Sequence, residues 1–203
     1  MKKIAISQNV DTDLIRGEVR NSVDVSWTER FLQTGVAAIP LPNQAVVAIE
    51  LLKTLRPFGL VLTGGNNIGD YDSRERAETA SVEWSVENEV SIFGVCRGMQ
   101  FLNLYFGGSI SRLDGHAGTS HLLVGSHFAE YPERVNSFHR FGIWPKDLAD
   151  CLTAVAWGPD GSIEAFRHKS LRVGAVMWHP ERDEPGGGNE GFKVVSDWFD
   201  LEE

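Results

Sequence analysis

Ser91-Ile92-Phe93-Gly94-Val95-Cys96-Arg97-Gly98-Met99-Gln100 is the stretch on which the reading of this chain turns. A short apolar run stops at Gly-x-Cys-x-Gly, and an apolar, helix-forming segment, Phe101 to Phe106, follows at once. The pattern predicts a strand, a sharp turn and a helix, with a thiol at the turn. Flanking glycines let the backbone double back, and the side chain between them stands clear of the sheet, as serine does in Gly-x-Ser-x-Gly elbows. A thiol there faces the positive end of the new helix, which favours thiolate over thiol. Taken alone, the motif fits a small buried cysteine equally well.

Working outward, β-type and helix-type runs alternate before the elbow. Lys3 to Ser7 reads as a buried strand and Gln8 to Gly17 as a polar loop. Val23, Trp27 and Phe31 recur at helical spacing over Ser22 to Gln33, and Gly35 closes that segment as a C-cap would. Val36 to Leu41 is a second strand. Asn43 is expected to cap a helix carrying Ala45, Ala48, Ile49, Leu52 and Leu55 on one face. Gly59 to Thr63 is a third strand ending in Gly64-Gly65-Asn66-Asn67, and a helix over Arg74 to Asn88 leads to the elbow strand. This β-α-β-α order predicts a mostly parallel sheet with helices on both faces. Ligands of such sheets sit at the carboxyl ends of strands, so Gly64-Gly65 and Cys96 are expected to share a crevice.

After Gly107-Gly108 the runs become short and β-like: Ser120 to Val124, Leu152 to Trp157, Ser162 to Phe166 and Val173 to Met177. They predict antiparallel or mixed strands at the sheet edge. A glycine-rich loop, Pro185 to Gly188, precedes a last amphipathic helix with Phe192, Val195 and Phe199 on one face. One domain over 1–203 is expected.

Composition narrows the function classes. Met1 to Ser7 is basic and then briefly apolar, too short for a signal-peptide core, and no run approaches the ~20 apolar residues of a membrane span. Cys96 and Cys151, the two cysteines, supply neither a disulfide framework nor a metal-ligand spacing. A cytoplasmic protein without cofactor or metal is therefore expected. A formal charge of −9 argues against broad nucleic-acid binding, while leaving room for local arginines that receive an anionic small molecule.

Trp178-His179-Pro180-Glu181 follows the apolar run Val173 to Met177. Residues i and i+2 of an extended chain point the same way, so His179 and Glu181 can present an imidazole and a carboxylate together at a strand's end. A thiol attacking an amide needs a base to take its proton and return it to the leaving nitrogen, and the base needs an acceptor to fix its tautomer. Cys96, His179 and Glu181 supply those parts. A surface His-Pro turn is the plain alternative for His179.

Together, Gly-Val-Cys96-Arg-Gly-Met-Gln100, the Gly64-Gly65 loop and Trp-His179-Pro-Glu181 resemble the class I glutamine amidotransferase superfamily, over nearly the whole chain. The resemblance implies a flavodoxin-like three-layer α/β sandwich. It also implies attack of Cys96 on a γ-glutamyl carbonyl, proton transfer by His179, orientation of His179 by Glu181, and an oxyanion hole from the backbone N–H groups of Gly65 and Arg97. Arg74-Glu75-x-x-Glu78 and Val135-Asn136-Ser137-Phe138-His139 are similar to the γ-glutamyl hydrolase branch. By that likeness Gly64, Gln100, Ser137, Phe138 and His139 would bind the glutamyl moiety, with help from Arg74. A surface i,i+4 ion pair is the alternative for Arg74 and Glu78.

Gly17-Glu18-x-Arg20-x-x-x-Asp24-x-x-Trp27 and Ile163-Glu164-Ala165-Phe166-Arg167-His168-Lys169 resemble the enzymes of capsular phosphoramidate synthesis that hydrolyse γ-glutamyl-CDP-amidate. The implied partner is a small γ-glutamyl amide rather than nucleic acid or membrane. A diphosphate leaving group would want arginine forks, and Arg16, Arg20, Arg112, Arg140 and Arg167 are candidates of equal standing. His116 and His121 are expected on a loop by the pocket, either as ordinary polar residues or as substrate contacts. A γ-glutamyl-aminobutyrate or polyamine hydrolase, a glutaminase subunit and a silent binding module are the other readings.

Overall fold

The computed structural model describes residues 1–125, 131–182 and 190–201. Thirteen strands and five α-helices are found among them. In the first half these are β1 (Lys2–Ile6), β2 (Asn9–Asp13), β3 (Glu18–Ser22), α1 (Val25–Gln33), β4 (Val36–Pro40), α2 (Ala45–Leu55), β5 (Gly59–Leu62), α3 (Asp72–Glu87), β6 (Ser91–Val95) and α4 (Arg97–Tyr105). The second half adds β7 (Ser111–Arg112), β8 (Ala117–Leu122), β9 (Arg134–Phe138), β10 (Phe141–Gly142), β11 (Leu152–Trp157), β12 (Ile163–His168), β13 (Val173–Val176) and α5 (Glu190–Trp198).

Seven strands form the central sheet in the order β11-β12-β13-β6-β5-β1-β4. From β13 to β4 every pairing is parallel; β12 and β11 close that edge antiparallel. The period-2 alternation of the strands explains the layering. Ile4, Ile6, Val61, Phe93 and Val95 point to one face, where they meet Trp27 and Phe31 of α1 and Phe192 and Val195 of α5. Ala5, Leu60, Leu62 and Ile92 point to the other, against Ala48 and Leu52 of α2, Val82 of α3, and Met99 and Leu102 of α4. The three-layer, flavodoxin-like sandwich read from the sequence is the fold observed.

Two local expectations are corrected. The stretch Gln8 to Gly17 is not a plain polar loop: it carries β2 and the turn, ending at Gly17 (φ +66°), into β3 of an antiparallel hairpin. Only Val10 of β2 is buried, so the hairpin has no apolar face for a period to reveal. Asn43 does not cap α2. Gln44 holds the cap position, and the buried Asn43 amide donates to the backbone oxygens of Gln8 and Asn9 at 3.0 and 3.2 Å.

The run at Ser120 to Val124 also departs from expectation. Its residues belong mostly to β8, which pairs with β9 in a hairpin outside the central sheet. A single bridge, Val124 to Trp157, ties that hairpin to β11. The glycine-rich loop at 185–188 lies outside the described residues. No helix among those described is long and apolar enough to cross a membrane.

Candidate active site

The elbow depends on close approach. A Cβ on Gly98 would lie 2.1 Å from the Leu62 carbonyl oxygen, and one on Gly94 would lie 2.8 Å from the Gly98 backbone. Hydrogen at both positions is what lets α4 begin directly against β5 and β6. Between them Cys96 adopts φ 52°, ψ −105°, a left-handed-side conformation that costs a non-glycine residue about 1–3 kcal/mol. Backbone hydrogen bonds hold it there: Cys96 N–H donates to Val176 O at 2.8 Å, and Gln100 N–H to Cys96 O at 3.1 Å.

Strand β13 runs parallel to β6 with Val176 opposite Val95, so the residues after it rise beside Cys96. His179 is clamped at its own backbone by one side chain. Its N–H donates to Asn136 Oδ1 at 2.9 Å, and its carbonyl accepts from Asn136 Nδ2 at 3.0 Å. The ring lies under the Gly64 loop, where a Cβ on Gly64 would sit 2.6 Å from His179 Cε1 and 3.5 Å from Cys96 Cβ. His179 Nδ1 is 2.7 Å from Glu181 Oε1, and Cys96 lies beside the same ring, close enough to act on its pKa. Burial works to lower the His179 pKa. The hydrogen bonds and charges of Cys96 and Glu181 outweigh it and raise the ring to about 9. At neutral pH the ring is therefore an imidazolium held between two acidic groups.

Loop 64–67 is braced from behind. Gly65 has φ +114°, and a Cβ there would fall 1.6 Å from Asn9 Oδ1. The same Asn9 oxygen accepts from Asn66 N–H at 3.2 Å and from the Arg74 guanidinium. Arg74 is fully buried. It donates to the carbonyls of Thr63 and Gly64, both at 2.9 Å, and to Glu78 Oε1 at 3.0 Å. Neither expectation for Arg74 holds: it is no surface pair, and its donors are spent on the loop and helix rather than turned to the cleft. The Arg97 guanidinium also turns inward to Glu78, while the residue itself opens α4.

A cleft of about 500 Å³ opens above Cys96, and Gly65, Arg97, Gln100, Phe138, His139 and Arg140 are in its lining. Gln100 donates to Phe141 O at 2.7 Å, which orients its amide oxygen as the acceptor it can offer. Ser137 is fully buried in β9 and is not in the lining, while its neighbour Phe138 is. Of the five candidate arginines, the structure brings Arg140 alone to this lining. Arg16 and Arg20 pair with acids of the β2–β3 hairpin, Arg112 pairs with Asp114, and Arg167 lies over the Trp198 ring.

His116 stands on the loop just before β8 and His121 within β8, and neither is in the lining of the open cleft. With His139 they converge on Glu164, all four donor atoms lying within 4.8 Å of one another. Burial, reinforced by the charge of Asp160, pushes the Glu164 carboxyl up to about 8. Burial, reinforced by neighbouring His116, pulls His139 down to about 4. Sequence reasoning gave no role to Asn9, Asn136 or Glu164. The last two stand inside motifs already singled out, but nothing in the linear pattern says what their side chains reach.

Known proteins share this architecture. The crystal structure of a protein described as a GMP synthase subunit, from Thermoplasma acidophilum, superposes with a TM-score of 0.75 at 23% identity, covering 98% of this chain and 94% of that one. A glutamine amidotransferase from Thermotoga maritima superposes at 0.66 and 18% identity, covering 98% and 83%. In sequence, the chain is 30% identical to the γ-glutamyl-CDP-amidate hydrolase of Campylobacter jejuni over 98% of both proteins. It is 35% identical to a glutamine amidotransferase-like protein of Lactococcus lactis over 77% of this chain and 79% of that one. The Peptidase C26 profile matches residues 4–181, from the first buried position of β1 to the carboxylate behind His179. With the fold, the elbow and a relative alike end to end all in agreement, this chain belongs to the Peptidase C26 family.

Proposed function

We propose that the chain hydrolyses a γ-glutamyl amide through a thioester on Cys96. The observation that carries this reading is the His179 ring, held at 2.7 Å by Glu181 and raised in pKa by Cys96 beside it. Cys96 Sγ attacks the γ-carbonyl carbon, and the oxyanion forms within reach of the backbone N–H groups of Gly65 and Arg97. His179 gives its proton to the departing nitrogen as the C–N bond breaks, leaving the glutamyl thioester and a free amine. Water, deprotonated by His179, then attacks the thioester, and the C–S bond breaks to release glutamate and free the Cys96 sulfur beside the protonated ring. Glu181 holds the ring's tautomer and offsets its charge throughout. Each oxyanion donor acts on charge that appears only in the transition state and is worth roughly 3 kcal/mol. Gln100 and the Phe138 segment of the cleft lining are assigned to the glutamyl moiety, with His139 contributing through its backbone.

The proposed substrate is γ-glutamyl-CDP-amidate, releasing cytidine diphosphoramidate. Arg140, exposed on the cleft lining, suits a diphosphate leaving group. The Campylobacter jejuni relative carries that activity in its name. Likeness to a glutamine-hydrolysing GMP synthase subunit of Thermoplasma volcanium, 29% identical over 82% of this chain, favours a second reading as a glutaminase component of a larger enzyme. One experiment separates them. The isolated protein is given glutamine, γ-glutamyl-aminobutyrate, a γ-glutamyl-polyamine and γ-glutamyl-CDP-amidate, and glutamate release is timed. Fast turnover of the last alone is the expected result. Equal slow rates on all four would overturn the substrate assignment, and slow turnover confined to glutamine would favour the glutaminase component.

A further inference from the structure

Four side chains that the proposed hydrolysis does not require as reacting groups meet behind one wall of the cleft. His116 stands just before β8, His121 lies within it, His139 follows β9, and Glu164 belongs to β12 of the central sheet. Glu164 is 0%, His139 4% and His116 7% exposed. The atoms they turn toward one another are buried without a hydrogen-bond partner: His116 Nδ1, His121 Nε2, His139 Nε2 and both oxygens of Glu164.

Their outer nitrogens say why. His139 Nδ1 lies 3.1 Å from Phe141 O, and His121 Nδ1 lies 3.2 Å from Leu122 O. A carbonyl can only accept, so each of those nitrogens carries the ring's proton and leaves a lone pair on Nε2. His116 Nε2 lies 2.9 Å from the Asp160 carboxylate, which fixes the complementary tautomer and leaves the lone pair on Nδ1. Three lone pairs thus face one carboxylate. A carboxylate or carbonyl behind each imidazole is the arrangement that orients histidine ligands toward a metal.

Hydrogen bonding among the four does not account for the set. Glu164 Oε1 lies 3.9, 3.6 and 3.7 Å from the inner nitrogens of His116, His121 and His139, beyond hydrogen-bond range. Two ligands of a tetrahedral ion with 2.0–2.2 Å bonds stand roughly 3.3–3.6 Å apart; the Glu164 distances close on shortening by a few tenths of an ångström, and the widest separation in the set, within 4.8 Å, on shortening by about one ångström. A cation also answers the cost of burying a carboxylate with no positive partner.

We propose that His116 Nδ1, His121 Nε2, His139 Nε2 and Glu164 bind one divalent transition-metal ion of the zinc type, pinning the β8–β9 hairpin to the central sheet. Three nitrogens and one carboxylate suit zinc or cobalt and not the all-oxygen preferences of calcium or magnesium. Four protein ligands make the site closed and structural. The ion would set the position of the Phe138-to-Arg140 segment of the cleft lining and take no part in bond breaking. The sequence reading expected no metal because it looked for cysteine spacing; these ligands are spread over residues 116–164.

The test uses untagged full-length protein, with bound metal counted by mass spectrometry after dialysis against ZnCl2. One zinc per chain is expected. Chelation should lower Tm by about 5 °C or more, reversibly on adding ZnCl2. Cobalt loaded in its place should show the visible bands of a tetrahedral nitrogen–oxygen site without thiolate charge transfer. Glu164→Gln and His121→Ala should each weaken zinc binding by roughly 100-fold or more, whereas Cys96→Ala should keep the metal. Wild-type protein that takes up neither zinc nor cobalt overturns the proposal even if the ligand variants misfold. So does a metal that is lost in Cys96→Ala and kept in Glu164→Gln.

Discussion

Glu181 sits 2.7 Å from the His179 ring, whereas Glu164 stands 3.6–3.9 Å from three histidines. Both groupings are buried, both join imidazole to carboxylate, and both border the same cleft. About one ångström separates their behaviour. At hydrogen-bond distance, and with Cys96 on the ring as well, the imidazole gains a proton against the pull of burial and rises to about 9. Beyond that distance burial prevails: His139 falls to about 4 and Glu164 climbs to about 8. Composition does not distinguish a proton carrier from a set of lone pairs awaiting a cation. The distances do, because hydrogen-bond energy falls steeply over that range while the desolvation penalty does not.

The largest effect expected comes from breaking the first grouping at its sulfur. Cys96→Ala should lower turnover by about 10⁴-fold or more, with circular dichroism and Tm close to wild type. Retained activity would place the reacting group elsewhere.

Glu181→Gln keeps the shape and removes the charge, and is expected to reduce kcat/KM by roughly 10²–10³-fold. It should also move the alkaline limb of the pH–rate profile from near 9 down toward 6.5, since one of the groups raising the His179 pKa is gone. Stability carries the same signature. The folded value lies above the ordinary 6.5, so the contribution of the protonated ring is complete below pH 6.5 and is lost as pH rises through about 9. Urea midpoints measured across that window should fall with pH in the wild type and flatten in Glu181→Gln. An unmoved profile would mean that Glu181 does not set the ring's protonation.

Asn136→Ala tests how the ring is placed. Two backbone hydrogen bonds to His179 disappear, at about 1 kcal/mol each, and kcat should drop about 10-fold with KM little changed. A rise in KM alone would assign Asn136 to substrate binding. Smallest of all is Cys151→Ser: its thiol is part-buried beneath the α2, α4 and β12 side of the core and touches neither grouping, so the rate should stay within about 2-fold. A large loss would mean that the reacting thiol had been misassigned.

The parallel core was legible because its strands are short apolar runs with helices between them, and local period and global layer agree from β1 to α4. The elbow was legible because backbone crowding at Gly94 and Gly98 permits few other residues. The β2–β3 hairpin was not, since one buried residue in β2 leaves no periodic signal. Arg74 was misread for a related reason. An i,i+4 spacing to Glu78 describes a helix surface only if that surface is exposed, and here the helix turns it beneath the Gly64 loop. Asn136 stood in a recognised motif, yet its hold on His179 joins residues 43 positions apart.

By itself, the amino-acid sequence determined the alternation of strands and helices in the parallel core, the thiol at the turn, and the imidazole and carboxylate two residues apart after β13, which the structure carries on a turn rather than on an extended segment. These follow from local sterics and from the burial period along the chain. The tertiary structure alone decided which arginine lines the cleft, what Arg74 holds, and how three histidines from one hairpin come to surround a carboxylate on the central sheet. Those facts depend on distances between remote segments, and it is distance, through desolvation and hydrogen-bond range, that gives chemically identical groups different protonation and different partners.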